Sequence, residues 1–383
     1  MRLYGIIHGM LSWIEIDRAR LKSNLAEFRK LIRPSTNLMV VVKANAYGHG
    51  LEAAAAAIAE DADWLGVNCA DEALTLTRIG VTKRIAILGH TTFDRIDDVV
   101  RNGYRQVLYR VDVANALSAA AVKLKTTAKV HLKVETGTNR QGIALGDLEG
   151  FITTVKRLPG IEIEGAYTHF ANIEDTLDPV FAQAQVERFL NALTILKRLG
   201  VNPPQIHASA TAGTLLYPTM DFSMVRVGIG AYGIWPSRET QIAARERGRQ
   251  LSLAPILTWK TRVAQVKGIQ AGDYVGYGLT YQARRPMQVV VLPVGYYDGY
   301  DRELSNSGRA LIHGQHVPVI GRIAMNMTML DVTDAGAQVD EEVVLLGRQG
   351  NAEIRVEELA EKIGTIPYEV VSRINPLIPR RVI

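Results

Sequence analysis

The sequence predicts a two-part α/β chain: a (β/α)8 barrel over residues 12–242, TIM-like in its rhythm, followed by a mainly β domain over residues 243–383. Three observations carry this prediction. Short apolar runs alternate with amphipathic stretches as far as about Tyr232. Polar residues stand at the carboxyl ends of several of those runs. After roughly Ala243 the helical periodicity fades, and short alternating strands separated by glycine-containing turns take over.

The runs span residues 38–42, 64–67, 85–88, 106–109, 129–134, 161–167, 205–207 and 224–227. Each is short and rich in β-branched residues, the pattern of a strand buried on both faces. Stretches such as 71–79, 112–124 and 179–199 have helical spacing, and every run but the last is followed by a helix-like segment. An open doubly wound sheet is the alternative, but the glycine-rich dinucleotide turn after its first strand is missing. Lys43, Lys133 with Arg140, His169, Ser209 and Arg226 lie at or just beyond strand ends. A barrel gathers such ends at one mouth, where its active site forms.

In the second part, strands are expected at 256–266, 288–292, 309–312 and 343–346, with turns at Gly272-Asp273, Gly308 and Gly350-Asn351 and one short helix near 356–363. The polar segment 237–250 is the expected boundary. Residues 1–11 are mildly apolar, with one Arg and breaks at Gly5 and Gly9, a poor signal peptide. They read as a leader strand packing with the second domain, or as an upstream extension with Met10 as an alternative start to Met1.

The net charge of +5 suits anionic partners, but acidic and basic residues are interleaved, so a phosphorylated small molecule explains it as well as nucleic acid does. No nucleic-acid signature, bilayer-spanning stretch or metal-ligand cluster is read, and a cytoplasmic protein is the default expectation. The single cysteine, Cys69, excludes a disulfide framework and reads as an inert core residue.

The most informative segment is residues 41–50, VVKANAYGHG. It closes an apolar run with Lys43 and continues into a glycine-punctuated loop carrying Tyr47, then an alanine-rich helix from about Leu51. An amine in apolar surroundings is pushed toward its neutral, nucleophilic form. A strand-end lysine snorkelling to solvent is the competing reading. The loop favours the first, because Tyr47 supplies a hydroxyl and Gly48 and Gly50 let backbone approach a ligand closely.

This decapeptide closely resembles the pyridoxal 5'-phosphate lysine motif of alanine racemases, and the resemblance covers nearly the whole chain after Leu11. It implies that Lys43 carries the cofactor as a Schiff base and that Tyr47 contacts the cofactor phosphate. Residues 133–140, KVETGTNR, resemble the strand and loop that present Arg140 to the substrate carboxylate, with Lys133 as a candidate carbamylated lysine; Glu135 reads as a loop cap. The run 166–171, AYTHFA, places His169 beside the pyridine ring. Ser209, Gly228 and Ile229 match the phosphate cradle, with Ala208 departing from the usual asparagine. Arg226, in MVRVGIGAYG, matches the arginine facing the pyridine nitrogen. A guanidinium cannot accept a proton there, which limits side reactions.

In the second domain, VGYGLTY at 275–281 makes Tyr277 the second base, supplied by the other subunit of a homodimer with shared active sites. Tyr296, Arg302 and Arg322 match entrance positions, as does the pair Pro379-Arg380. Met325 matches a backbone N–H donor to the substrate carboxylate. Asn326 stands where relatives usually carry aspartate, and Pro376 where some carry a phosphate-contacting tyrosine. The implied activity is interconversion of L- and D-alanine by α-proton transfer between two bases, supplying D-alanine for peptidoglycan. A broad-specificity or serine racemase on the same scaffold is the nearest alternative. A non-catalytic pyridoxal-phosphate homeostasis protein lacks the β domain, and a decarboxylase would carry an acid at position 226.

Overall fold

A computed structural model describes residues 10–383. The expected leader at 1–11, and the choice between Met1 and Met10, fall largely outside the described residues. The chain forms two compact units. One holds residues 19–46 and 55–254, the other the described residues up to Arg18 with residues 47–54 and 255–383.

The first unit is a closed parallel barrel. The strand that precedes it in the chain, β1 (Ser12–Ile16), belongs to the other unit. The barrel strands are β2 (Asn37–Val41), β3 (Trp64–Val67), β4 (Arg84–Ile87), β5 (Arg105–Leu108), β6 (Ala128–Lys133), β7 (Ile161–Tyr167), β8 (Gln205–His207) and β9 (Met224–Val227). Closure comes from β2 and β9, paired in parallel from Asn37↔Met224 to Val40↔Val227. These strands coincide with the eight runs read from the sequence. Their interior is packed, as the apolar runs require: Met39, Trp64, Ala86 and Met224 form one buried cluster. Helices follow the strands, among them Leu51–Asp61, Ala70–Arg78, Val111–Leu124 and Val180–Arg198. The last strand is followed by one too, Arg238–Glu246, within the segment read as a polar boundary. Its start is set by Ser237, whose hydroxyl accepts from Thr240 N at 3.0 Å.

The second unit is mainly β. A sheet runs in the order β14 (Gln315–Pro318), β13 (Arg309–Ile312), β16 (Glu342–Gln349), β10 (Leu257–Arg262), β1, β18 (Arg380–Val382), with β17 (Ala352–Ile354) also on β16. A three-stranded sheet has the order β11 (Gln265–Ile269), β12 (Met287–Leu292), β15 (Thr328–Asp331). The single run expected at 256–266 is thus two strands in two sheets. Adjacent residues divide it: Val263 N donates to Glu341 O at 2.9 Å and Ala264 N to Val291 O at 2.9 Å. β1 joins this unit because it pairs antiparallel with β10 and parallel with β18. The expected helix is present at Val356–Lys362, and a second follows at Pro367–Ser372. Among the described residues, no helix is long and apolar enough to cross a membrane.

Candidate active site

In the barrel unit, β2 delivers Lys43 to the carboxyl end of the strands. The backbone then turns sharply: Ala44, Asn45, Ala46 and Tyr47 have φ of 53°, 55°, 52° and 53°. Four consecutive left-handed residues without glycine cost of order 1–2 kcal/mol each, so the turn needs anchors. Glu72 supplies two, accepting from Ala44 N and from Asn68 N, both at 2.7 Å. Burial pushes the Lys43 amine below its ordinary pKa, Arg140 adds to the fall, Glu72 opposes it, and Arg226 lowers it further.

Lys133, at the end of β6, is buried, and burial reinforced by Arg140 and Arg226 lowers its pKa to about 8. Its Nζ donates to Gln141 Oε1 at 3.1 Å, and Gln141 Nε2 donates to Tyr109 Oη at 3.1 Å. Glu135 is a loop cap, as read from the sequence. It accepts from Gly137 N at 2.6 Å and Arg140 N at 3.3 Å, which shapes the loop that carries the exposed Arg140.

Arg226 is buried in β9. One terminal nitrogen, Nη2, donates to the carbonyls of Thr168 and Ala208, both at 2.9 Å, and lies 3.3 Å from His169 Nδ1. The other, Nη1, meets His207 Nδ1 at 2.6 Å. Burial, and then the Arg226 charge, hold His169 and His207 well below the usual imidazole pKa, so both are neutral. Ala208, whose side chain can offer no hydrogen bond, serves Arg226 through its backbone carbonyl.

Ser209 is fully buried and donates to Met220 O at 2.9 Å. The Gly228 N–H is donated to Thr211 Oγ1 at 3.0 Å, and Ile229 opens a short 3₁₀ turn. Close by, burial raises the Asp221 carboxyl to about 7, against lowering by Arg249, Ser209 and Arg33. A carboxyl whose folded pKa lies above its unfolded value favours folding fully below about pH 4, and that contribution is lost as pH rises toward 7. Asp221→Asn is therefore expected to raise the melting temperature by roughly 2–4 °C at pH 8, with no gain at pH 4. Calorimetry at both pH values checks this; an equal effect at both would contradict it.

In the second unit, Tyr277 follows Gly276 (φ +75°) and opens a one-turn helix that leaves its side chain 74% exposed. A Cβ on Gly278 would lie 2.8 Å from Arg322 Nη1, so Arg322 packs on the Tyr277 turn. Tyr296 N donates to Ala324 O at 3.1 Å and Tyr297 N to Met325 O at 3.0 Å, joining the segments that carry Tyr296 and Met325. A Cβ on Gly295 would meet Ala324 O at 2.1 Å, so only glycine allows that approach. Asn326 Nδ2 donates to Asp298 Oδ2 at 3.4 Å. Arg302 is exposed and begins a short turn that Asp301 caps, accepting from Glu303 N at 2.9 Å. Arg380, read as an entrance residue, is tied down: it donates to Gly48 O at 3.0 Å and Asn375 O at 2.7 Å. Tyr47 packs its ring 6.2 Å from that of Tyr368.

Two family models match the chain. The alanine racemase N-terminal domain covers residues 16–236 and the alanine racemase C-terminal domain residues 256–382. The alanine racemase of Leptospira interrogans serovar Lai is 39% identical over 97% of this chain and 96% of its own length. That of Symbiobacterium thermophilum is 39% identical over 96% of each. The chain belongs to the alanine racemase family. Solved structures agree. The alanine racemase from D-cycloserine-producing Streptomyces lavendulae superposes with a TM-score of 0.91 at 30% identity, over 98% of this chain and 97% of that one. The Bacillus anthracis alanine racemase with bound L-Ala-P gives 0.90 at 31%, over 98% and 95%.

The barrel residues fit the pyridoxal phosphate that the sequence resemblance implies for an alanine racemase. A lysine is pushed toward its neutral form, Arg140 and Arg226 are close enough to lower its pKa, and a buried serine hydroxyl, Ser209, follows β8. That donor set suits an anionic, aldehyde-bearing ligand. Sequence reasoning missed Glu72, His207 and Thr211. The signal for His207 was a polar residue inside a short apolar strand. Cys69, read as core, is only half-buried, at the N-cap of the helix Ala70–Arg78.

Proposed function

We propose that this chain is a pyridoxal 5'-phosphate-dependent racemase of alanine that works as a homodimer with shared active sites. The observation that carries this reading is Lys43: a strand-end amine, shifted toward neutrality by burial, Arg140 and Arg226, on a turn held by Glu72. The bound cofactor supplies the electron sink that makes the α-proton of alanine removable. Lys43 would hold the cofactor through Nζ and would take or return the α-proton of the substrate on its own face. Tyr277 would do so through Oη on the other face, because one group on one side is a poor means of serving both faces of the α-carbon. Arg140 and the Met325 N–H bind the substrate carboxylate, with the guanidinium as a charged, planar donor. Arg226 would donate to the pyridine nitrogen but could not take its proton. Tyr47, Ser209, Gly228 and Ile229 would hold the phosphate, His169 would border the ring, and Tyr296, Arg302 and Arg322 would shape the entrance. A Lys133 amine with pKa about 8 is partly neutral at physiological pH, the form that captures carbon dioxide, so a carbamate there would orient Arg140. The exposed Tyr277 turn suits delivery to a partner subunit, and the cytoplasm remains the proposed location.

Asn326 favours one further question, substrate breadth, because a neutral amide replaces a carboxylate near the entrance. Racemisation measured across a panel of amino acids is expected to give alanine a kcat/KM at least about tenfold above that of serine, the scale on which an added hydroxyl is discriminated. Equal or reversed values would make this a broad-specificity or serine racemase.

A further inference from the structure

Arg226 is the visible end of a polar chain that crosses the barrel interior. Its Nη1 meets His207 Nδ1 at 2.6 Å, and His207 Nε2 meets His131 Nδ1 at 3.0 Å. The remaining nitrogen, His131 Nε2, makes no hydrogen bond, and the carboxylate it faces is Glu164, with Oε2 at 3.5 Å. Glu164 is fixed in turn by Arg105, through Nε at 2.8 Å and Nη2 at 3.1 Å, and by Lys129 at 3.2 Å. His131, Glu164, His207 and Arg226 are all buried.

The fold builds this chain deliberately. Between β6 and β7 the register passes from Val130↔Ile163 to His131↔Gly165, so Glu164 is the extra residue of a β-bulge. A bulge re-aims its side chain, here toward His131. A Cβ on Gly165 would stand 2.5 Å from the His131 ring, so the imidazole occupies space that only glycine leaves. The His207 ring stacks on Tyr167, with centroids 4.6 Å apart and planes 5° from parallel. The Trp64 ring flanks His131 at 5.5 Å.

Donor and acceptor inventory then determines every proton. A guanidinium only donates, so His207 Nδ1 must accept and its proton must sit on Nε2. That N–H donates to His131 Nδ1, which must therefore accept, leaving the His131 proton on Nε2, aimed at a carboxylate that only accepts. A second proton on either ring would set two donors against each other. We propose that Glu164 is a positioning residue for Arg226: it fixes His131 and His207 as neutral Nε2–H tautomers and so holds the guanidinium in the orientation used at the active site. Its bearing on catalysis rests on the reading that Arg226 meets the cofactor's pyridine nitrogen; the proton arrangement does not.

The test is nitrogen-15 NMR of histidine-labelled holoenzyme near neutral pH, with His131 assigned through His131→Asn. Both rings are expected to show a protonated, pyrrole-type Nε2 and an unprotonated, pyridine-type Nδ1. A proton on Nδ1 of either ring overturns the proposal, whatever the activity. In Glu164→Gln, the amide oxygen at the Oε1 position keeps Arg105 Nη2 and Lys129, and the NH2 group at the Oε2 position faces His131 at the expense of the Arg105 Nε contact. His131 Nε2 should then become pyridine-type, cofactor affinity should weaken by about tenfold, as for one lost hydrogen bond, and kcat should fall more than KM. Unchanged tautomers, or unchanged cofactor affinity and kcat, would overturn the positioning role. Gly165→Ala provides a second arm that removes no polar group: it should displace the His131 ring and reproduce the loss with Glu164 present. If Glu164→Gln does not fold, the wild-type tautomers and Gly165→Ala decide the matter. Wild-type enzyme with the expected tautomers but no racemase activity would refute the proposed function, not the proton arrangement.

Discussion

Lys43→Ala is expected to reduce alanine racemisation by at least about 10⁴-fold, the upper end of what a positioned acid–base group contributes, because in the proposed function the same amine also anchors the cofactor. The visible absorbance of the lysine-bound cofactor should disappear with it. The physical ground is specific to this position. Lys43 and Lys133 both have amines shifted toward neutrality, but only Lys43 leads into the turn Ala44–Tyr47 that Glu72 pins through Ala44 N. Absorbance and a racemisation assay on the purified variant check this, with a thermal melt confirming that it is folded. Retention of both absorbance and activity would transfer the role to another lysine, with Lys133 the first to examine.

A second large effect is expected from mixing two inactive proteins. Lys43 belongs to the barrel unit and Tyr277 to the mainly β unit. A two-fold isologous dimer in which each Tyr277 serves the partner's Lys43 completes both sites at once. Lys43→Ala subunits exchanged with Tyr277→Phe subunits should then form mixed dimers in which one site carries both lesions and the other is intact. Activity should return to about half that of the wild-type dimer if the sites act independently. Verified mixed dimers without recovered activity would place Tyr277 in its own chain's site. Sedimentation or native mass measurement establishes that mixed dimers are present.

The barrel was legible in the sequence because its strands are buried on both faces, so each appears as a continuous apolar run. The runs at 64–67, 161–167, 205–207 and 224–227 coincide with β3, β7, β8 and β9. Elements defined by long-range pairing were not legible. β1 joins the second unit through β10 and β18, partners about 240 or more residues away in the chain. The division of β10 from β11 depends on which sheet each of two adjacent N–H groups bonds. The helix Arg238–Glu246 was obscured by its charged residues, although Ser237 three residues before Thr240 is a capping signal. At the site, the motif residues stood out, whereas their supports did not. Glu72 acts through backbone N–H groups, and Glu164 reaches His131 only because of a bulge, which leaves no periodic trace in the sequence.

The central claim is that Lys43 and Tyr277 act on opposite faces of the same substrate carbon. Enantiomer-resolved exchange of the alanine α-proton in heavy water tests it most directly. In Tyr277→Phe, exchange of L-alanine should collapse, by about 10²-fold or more, while exchange of D-alanine persists through Lys43. Equal, mild losses for both enantiomers would contradict the two-base account.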